Sequence, residues 1–567
     1  MHLLDIHEPG HAPKPHENEN VAVGIDLGTT NSLVAIASKG KPEIVRGPDG
    51  SILMPSVVAY LTGGDVLVGE EARRQLLDEP DQVISSVKRL MGRGAEDVKS
   101  LAGSLPYELV PGPADQMVKV RVDDKVLSPV EISGQVLKTL KARTEVALGH
   151  EVAQAVVTVP AYFDDAARTA TRDAARLAGI EVLRLVNEPT AAALAYGLDS
   201  APESLYAVFD MGGGTFDISI LKMQKGVFQV LATGGDAVLG GDDFDHVVAE
   251  HVLSERAAEF GKTALSTGEV KRALATARLA KECLTSQDGG DWVFEVGGRQ
   301  SRHSLDINTF ERLIDPLVER TMDVCRSVME DAGVSASDIQ GVVLVGGSTR
   351  VPLVRRRVKD LFGQEPLSDI DPDQVVALGA ALQAEALTQG SETLLLDVTP
   401  LSLGIETMGG LVEKVIPRNT SIPVSRAQEF TTYQDGETAL AIHVLQGERE
   451  MTEENRSLAR FELHGIPPMT AGAARIRVAF TVDADGLLTV SAREATTGVE
   501  QLVEVKPSYG LSGEDMTRML KDGMEHGRKD MEWRLLTETR VEAERLASAV
   551  RVAMASESDL LSEGEAD

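Results

Sequence analysis

From about Val21 to Leu387 short apolar runs alternate with longer stretches of helical period. VAVGIDL, AQAVVTVP, SLYAVFDM and GVVLVGG read as strands, while Phe163 to Ala178 and Val375 to Leu387 read as helices. This alternation predicts an α/β architecture over residues 21–388. From Thr399 to about Pro507 the period falls to two, with turns at Gln434-Asp435-Gly436 and Ala484-Asp485-Gly486. Asp-Gly between alternating runs is a strong hairpin signal, so 399–507 is expected to be a compact all-β domain. Between them Gln389 to Val398 reads QGSETLLLDV, either an edge strand or a linker that docks when the two domains are coupled. Past 508 the chain is charged and helical to about 555, and Ser556 to Asp567 is an acidic tail expected to be disordered.

Length and composition narrow the classes. At 567 residues the chain is too long for one core and calls for about three or four folding units. Aromatics make up 4%, so the cores must be mainly aliphatic. A net charge of −32 disfavours nucleic acid and anionic membranes, because phosphates would be repelled. Cys283 and Cys325 supply neither a disulfide framework nor a C-x-x-C metal spacing. That usage fits the cytoplasm, and one chain cannot supply the four thiolates of an iron–sulfur cluster. No apolar run approaches the ~18 residues of a membrane span. Residues 1–20 are polar and proline-bearing; His2, His7, His11 and His16 there have nothing to fix metal geometry, and a disordered tail is expected.

Candidate chemistry sits in two glycine-rich turns. In VGIDLGTTNS a strand delivers Asp26 to Gly28, Thr29 and Thr30; in YAVFDMGGGTFDISI another delivers Asp210 to Gly212, Gly213, Gly214 and Thr215. Glycine lets backbone N–H groups approach phosphate oxygens, and a carboxylate beside phosphate acts through hydrated Mg²⁺. The repetition suggests a duplicated domain with a nucleotide between its halves. Gly346-Gly347-Ser348 after GVVLV suits the face of an adenosine, and equally a plain strand–helix turn. The small residues of Asn187 to Gly197 and Val376 to Ala384 suit closely crossing helices, with Glu188 beginning the first near the cleft.

These elements in this order resemble the actin, sugar-kinase and DnaK-type chaperone superfamily. GIDLGTTNS, SVKRLMGR, VPAYFDDAARTATRDAARLAG, NEPTAAALAYGLDS, TGGDAVLGGDDFDH, VGGSTRVPLV and LLLDVTPLSLGIETMGG make the chain similar to the DnaK-type chaperones, the heat shock protein 70 family, through nearly its whole length. Within that family it most resembles the branch serving iron–sulfur cluster assembly; a general stress chaperone is the alternative. The resemblance implies a two-lobed actin-like ATPase domain, an interdomain linker at 389–398, a β-sandwich peptide-binding domain and a shortened helical lid.

It also implies ATP or ADP with Mg²⁺ between the lobes and potassium ions nearby. Asp26 and Asp210 would hold the metal through water, with Lys88 orienting the attacking water, Glu188 helping to place it and Thr215 beside the γ-phosphate. Gly28, Thr29, Thr30, Asn31, Gly212, Gly213, Gly214, Gly240 and Gly241 would cradle phosphates. Lys281, Thr285, Gly346, Gly347, Ser348, Arg350 and Asp373 would hold adenosine. Arg278 stands where the family offers a glutamate. Arg168 would receive a J-domain co-chaperone and Asp397 would couple the domains. Ile405, Met408, Phe430, Thr431, Leu440 and Ile442 would line a peptide groove arched by Tyr433. The bulk of Leu440 and Tyr433 would favour a proline-containing segment of an iron–sulfur scaffold protein. The segment between Thr285 and Arg302 is short for the family, which counts against docking of the usual nucleotide-exchange factor. The expected molecule is a monomer.

Overall fold

The computed structural model describes residues 22–94, 97–98, 107–110, 117–197, 204–224, 227–261, 264–296, 298–367, 369–389, 394–504 and 513–556. The expected tail at 1–20, the expected tail at 556–567 apart from Ser556, and linker residues 390–393 lie outside these.

Two sheets built on one plan form the centre of the α/β part, beside three smaller ones among the described residues. In the first, Val23–Leu27 and Asn31–Ser38 make an antiparallel hairpin, with Gln154–Val159 parallel to the hairpin's first strand. In the second, Ser204–Met211 and Phe216–Gln224 make the hairpin, with Gly341–Val345 parallel. Asp26 and Asp210 therefore occupy equivalent places, each one residue before the end of a hairpin's first strand. Both hairpin strands are buried and rich in Val, Ile, Leu and Phe, as strands covered on both faces must be.

The lobes meet on small residues. The helices Glu188–Ala195 and Val375–Gln389 cross so closely that a Cβ on Gly379 would stand 1.7 Å from the Ala191 carbonyl oxygen. Only glycine permits that approach. Around the crossing Ala191, Ala192, Ala193, Val208, Val343, Val376 and Ala380 form an apolar cluster joining both sheets.

The seam forms a strand held by both domains rather than an edge strand. Leu394–Val398 is a strand, parallel to Val227–Asp236 of the second lobe and antiparallel to Ser421–Ile422 of the next domain. Val398, 2% exposed, enters the interlobe cluster. Burying such a side chain contributes about 1.5–3 kcal/mol.

The following domain is a sandwich of two four-stranded sheets around a core containing Ile405, Ile442, Ile476, Phe480 and Val490. The hairpin expected at Ala484-Asp485-Gly486 is present, pairing Ile476–Val482 with Leu488–Glu494. At Gln434-Asp435-Gly436 the hairpin expectation fails. Val424–Phe430 pairs with Ile476–Val482, whereas Ala439–Gln446 pairs with Leu403–Thr407 and Arg456–His464. The turn is real, with Gly436 at φ 76°, but the chain around it crosses from one sheet to the other. Beyond the sandwich a single helix, Gly513–Ser556, runs 44 residues, about 66 Å. Arg534 ties it to the sandwich through Glu413 (2.8 Å) and Glu450 (2.6 Å).

Candidate nucleotide cleft and interdomain contacts

Between the lobes lies a cavity of ≈ 340 Å³. Its lining brings together Asp26, Gly28, Thr29, Thr30, Asn31, Lys88, Glu188, Asp210, Gly212, Gly213, Thr215, Lys281, Thr285, Gly346, Gly347, Ser348, Arg350 and Asp373. Arg278 also lines it, paired at 2.8 Å with Glu282. Gly214, Gly240 and Gly241 stand behind this surface instead. A Cβ on Gly240 would lie 2.5 Å from Gly213 backbone, and one on Gly214 would lie 2.7 Å from the Arg89 side chain. Gly213 itself leaves no room, since its Cβ would come within 2.0 Å of Thr30 Oγ1. The two hairpin turns thus press together across the cleft, and their glycines set the spacing.

Charge at the cavity floor is unbalanced. Lys88 Nζ lies 2.7 Å from Glu188 Oε1, both residues 6% exposed, with the Phe163 ring beneath the ammonium. Asp26 accepts from Thr158 Oγ1 at 3.2 Å, and Asp217 accepts from the Tyr162 amide at 2.9 Å. Burial, then Glu188, push Asp26 up to about 7 and Asp217 up to about 8. Burial, then Glu188 and Asp217, raise Asp210 well above the carboxylate range. Burial pulls Lys88 down, but Glu188 and Asp26 more than offset it and hold its ammonium charged. Asp210 Oδ2 is buried with no hydrogen-bond partner among the described residues. Four buried carboxyl groups around one ammonium, two of them (Asp210 and Asp217) with an oxygen lacking a partner among the described residues, fit a hydrated divalent cation.

Bonds within the second lobe, and one set from the first lobe, frame this floor. Ser348 Oγ donates to the Gly212 carbonyl (2.7 Å), and Lys281 donates to the Gly241 carbonyl (2.8 Å) while pairing with Asp245 (2.8 Å). Arg350 pairs with Asp371 and Asp373, each at 2.6 Å. Arg89, 3% exposed, reaches from the first lobe to the Val238 carbonyl and Asp243 of the second. Sequence reading passed over Arg89, Asp217 and Asp243. Asp217 carried a signal, because FDMGGGTFD places it opposite Asp210 once the hairpin register is known.

The cavity connects toward the sandwich through three of the four residues Asn187 to Thr190. Glu188 holds Lys88; Asn187 accepts from Arg168 Nη2 at 2.7 Å; Thr190 donates to Asp397 at 2.8 Å. Arg168, 4% exposed, also donates to the Asp485 carbonyl in the sandwich at 3.1 Å. The Asp485 carboxylate accepts from the Leu185 amide at 3.0 Å and pairs with Arg172. A second docking contact pairs Arg418 with Asp331 through both guanidinium nitrogens, at 2.9 and 2.7 Å. Asp485 had read only as a turn residue.

Asp165 makes this docking sensitive to pH. It is 7% exposed, accepts from the Leu488 amide of the sandwich at 3.0 Å, and its other oxygen is buried without a hydrogen-bond partner among the described residues. Burial pushes its carboxyl from 3.8 up to about 8. Docking therefore takes up a proton; this stabilisation is complete below the ordinary value and is lost as pH rises through about 8. The slope is at most about 1.4 kcal/mol per pH unit. X-ray scattering is expected to show the radius of gyration growing between pH 6 and 8.5, and Asp165→Asn should flatten that profile.

The expected groove residues divide. Ile405 and Ile442 are 3% and 1% exposed within the sandwich core. Phe430 and Leu440 pack partly buried against that core, Tyr433 is half-buried, and Met408 and Thr431 are exposed. The short segment after Thr285 forms an antiparallel hairpin, Gly289–Val296 with Arg299–Asp306. No described helix is long and apolar enough to cross a membrane.

Comparison with known proteins gives a consistent result. The family model described as Hsp70 protein matches residues 22–567. The chain is 56% identical to the Chaperone protein HscA homolog of Burkholderia multivorans (strain ATCC 17616 / 249), covering 99% of this chain and 90% of that protein. It is also 56% identical to the Chaperone protein HscA homologs of Burkholderia ambifaria (strain MC40-6) and Burkholderia mallei (strain SAVP1), covering 100% of this chain and 91% of each.

Proposed function

We propose, from the premise that this chain belongs to the Hsp70 family, that it hydrolyses ATP to control its grip on an iron–sulfur scaffold protein delivered by a J-domain co-chaperone. Its class as an Hsp70-type chaperone follows from the family match and the HscA homologs. The observation that carries the finer reading is the run Asn187 to Thr190, which touches the cavity floor, Arg168 and the seam's Asp397 within one helix start. A rearrangement of Glu188 when the cavity changes contents would be felt at once by the sandwich.

Each floor residue has work suited to its surroundings. Asp26 and Asp210 would hold Mg²⁺ through water, and Mg²⁺ when bound would offset negative charge on the phosphates. Lys88, kept charged and fixed by Glu188, can orient a water molecule and stabilise charge growing on the γ-phosphoryl oxygens. Thr29, Thr30 and Thr215 offer hydroxyl donors, and the backbone of Gly212 and Gly213 closes the cradle. Such catalysis is positioning plus electrostatics.

Client choice rests on the sandwich and on the HscA homologs. Leu440 and Tyr433 narrow the expected groove, favouring an extended segment of limited bulk. ATP turnover should rise severalfold with an iron–sulfur scaffold protein plus its J-domain partner. An unrelated unfolded client with the same partner should do little. Stimulation by the unrelated client alone would instead assign the chain to general protein folding.

A further inference from the structure

Beside the first cavity a second, ≈ 410 Å³, opens between the lobes and shares Thr29, Thr30, Arg278 and Glu282 with it. The helix Glu70–Asp78 gives one wall, with Arg73, Arg74 and Leu76. The helix Thr267–Leu284 gives the other, with Lys271, Leu274 and Arg278. Cations thus look into one gap from both lobes. Their carboxylate partners lie on the same helix as the cation: Glu70 is 2.8 Å from Arg73 and 3.7 Å from Arg74, and Glu282 is 2.8 Å from Arg278. Two further acids of the lining are engaged, Asp245 by Lys281 at 2.8 Å and Asp242 by Ser86 at 2.6 Å.

Lys271 is the unusual member. It is 5% exposed, and its ammonium donates across the cleft to the carbonyls of Pro80 (2.6 Å) and Val83 (2.9 Å). Among the described residues it forms no ion pair with a carboxylate. One buried donor of the lining, Arg89 Nε, also lacks any hydrogen-bond partner among the described residues. Guanidinium and ammonium groups on facing walls, with a buried guanidinium N–H unsatisfied between them, leave charge-assisted bonds for an anion to complete. The volume is in the range of small-molecule sites, and Leu76 and Leu274 offer apolar contact.

We propose that this gap is a second ligand site, taking a small organic anion with an apolar body and a phosphate or carboxylate head, which bridges the lobes. Its consequence, slower release of nucleotide from the adjoining cavity, rests on the nucleotide reading given above. The site itself does not.

Calorimetric titration of 1-naphthyl phosphate and of 1-naphthoate, in separate arms, into protein saturated with ADP and Mg²⁺ tests this and distinguishes the two head groups. One site per chain is expected for at least one probe, weakened about tenfold or more in the Arg73→Ala/Arg74→Ala double variant. In the same samples release of a fluorescent ADP analogue should slow severalfold with the probe, and only in the unaltered protein. The variant's release without probe should be unchanged. Absence of binding by both probes, displacement by extra nucleotide, or undiminished binding by the double variant would overturn the site. If the protein binds no ADP, the nucleotide reading fails alone, and titration of the unloaded protein and the double variant still decides the second site.

Discussion

Lys88→Ala is expected to lower single-turnover ATP hydrolysis by about 10²- to 10³-fold while the protein still binds nucleotide. The ammonium is the only cation within ion-pair reach of Glu188 among the described residues, and Asp26 and Asp210 share the same floor. Its removal would take away the charge facing the transferred group and leave Glu188 buried among carboxyls. Losing one partner of such a pair costs about 3–5 kcal/mol when nothing else compensates. Here uptake of metal would limit the loss, so the fold should survive. Thermal unfolding with and without Mg²⁺-nucleotide separates the two effects, because a purely structural defect would lower the melting temperature without the kinetic loss. Full hydrolysis by the variant would remove Lys88 from the mechanism.

The second large effect concerns coupling. Asp485→Ala should leave hydrolysis by the ATPase domain present but slow ATP-triggered release of a fluorescent peptide by about 10- to 100-fold. Its carboxylate makes two docking bonds, to the Leu185 amide and to Arg172. Hydrogen bonds to charged groups contribute about 1.5–3 kcal/mol each, and tenfold corresponds to ~1.4 kcal/mol. The substitution should spare the sandwich, because the turn is organised by its neighbour. Asp483 Oδ1 accepts from the Asp485 and Leu487 amides, both at 2.9 Å. Peptide release as fast as in the unaltered protein would mean the contact does not transmit the signal.

What the sequence revealed depended on whether a residue's partner was close along the chain. The two glycine-rich hairpins were legible because strand, carboxylate and glycines are contiguous, and Gly379 announced a tight crossing by size alone. Asp485 was not, since its Asp-Gly setting already satisfied a local explanation and its real partners lie about 300 positions earlier. The Asp435-Gly436 signal misled for the same reason. A turn specifies only the local bend, while sheet membership was decided by long-range pairing of Val424–Phe430 with Ile476–Val482. Lys271 gave no signal at all, because its partners are backbone carbonyls, which every residue possesses.

The seam strand has a last consequence. Leu394–Val398 is flanked by a strand on each side, Val227–Asp236 and Ser421–Ile422. A protease must draw its target into its own active site as a lone extended chain, and this segment offers none while both neighbours hold it. Cleavage there by a leucine-directed protease would thus record how often the strand peels away, turning a susceptible bond into a clock for the separation of the two domains.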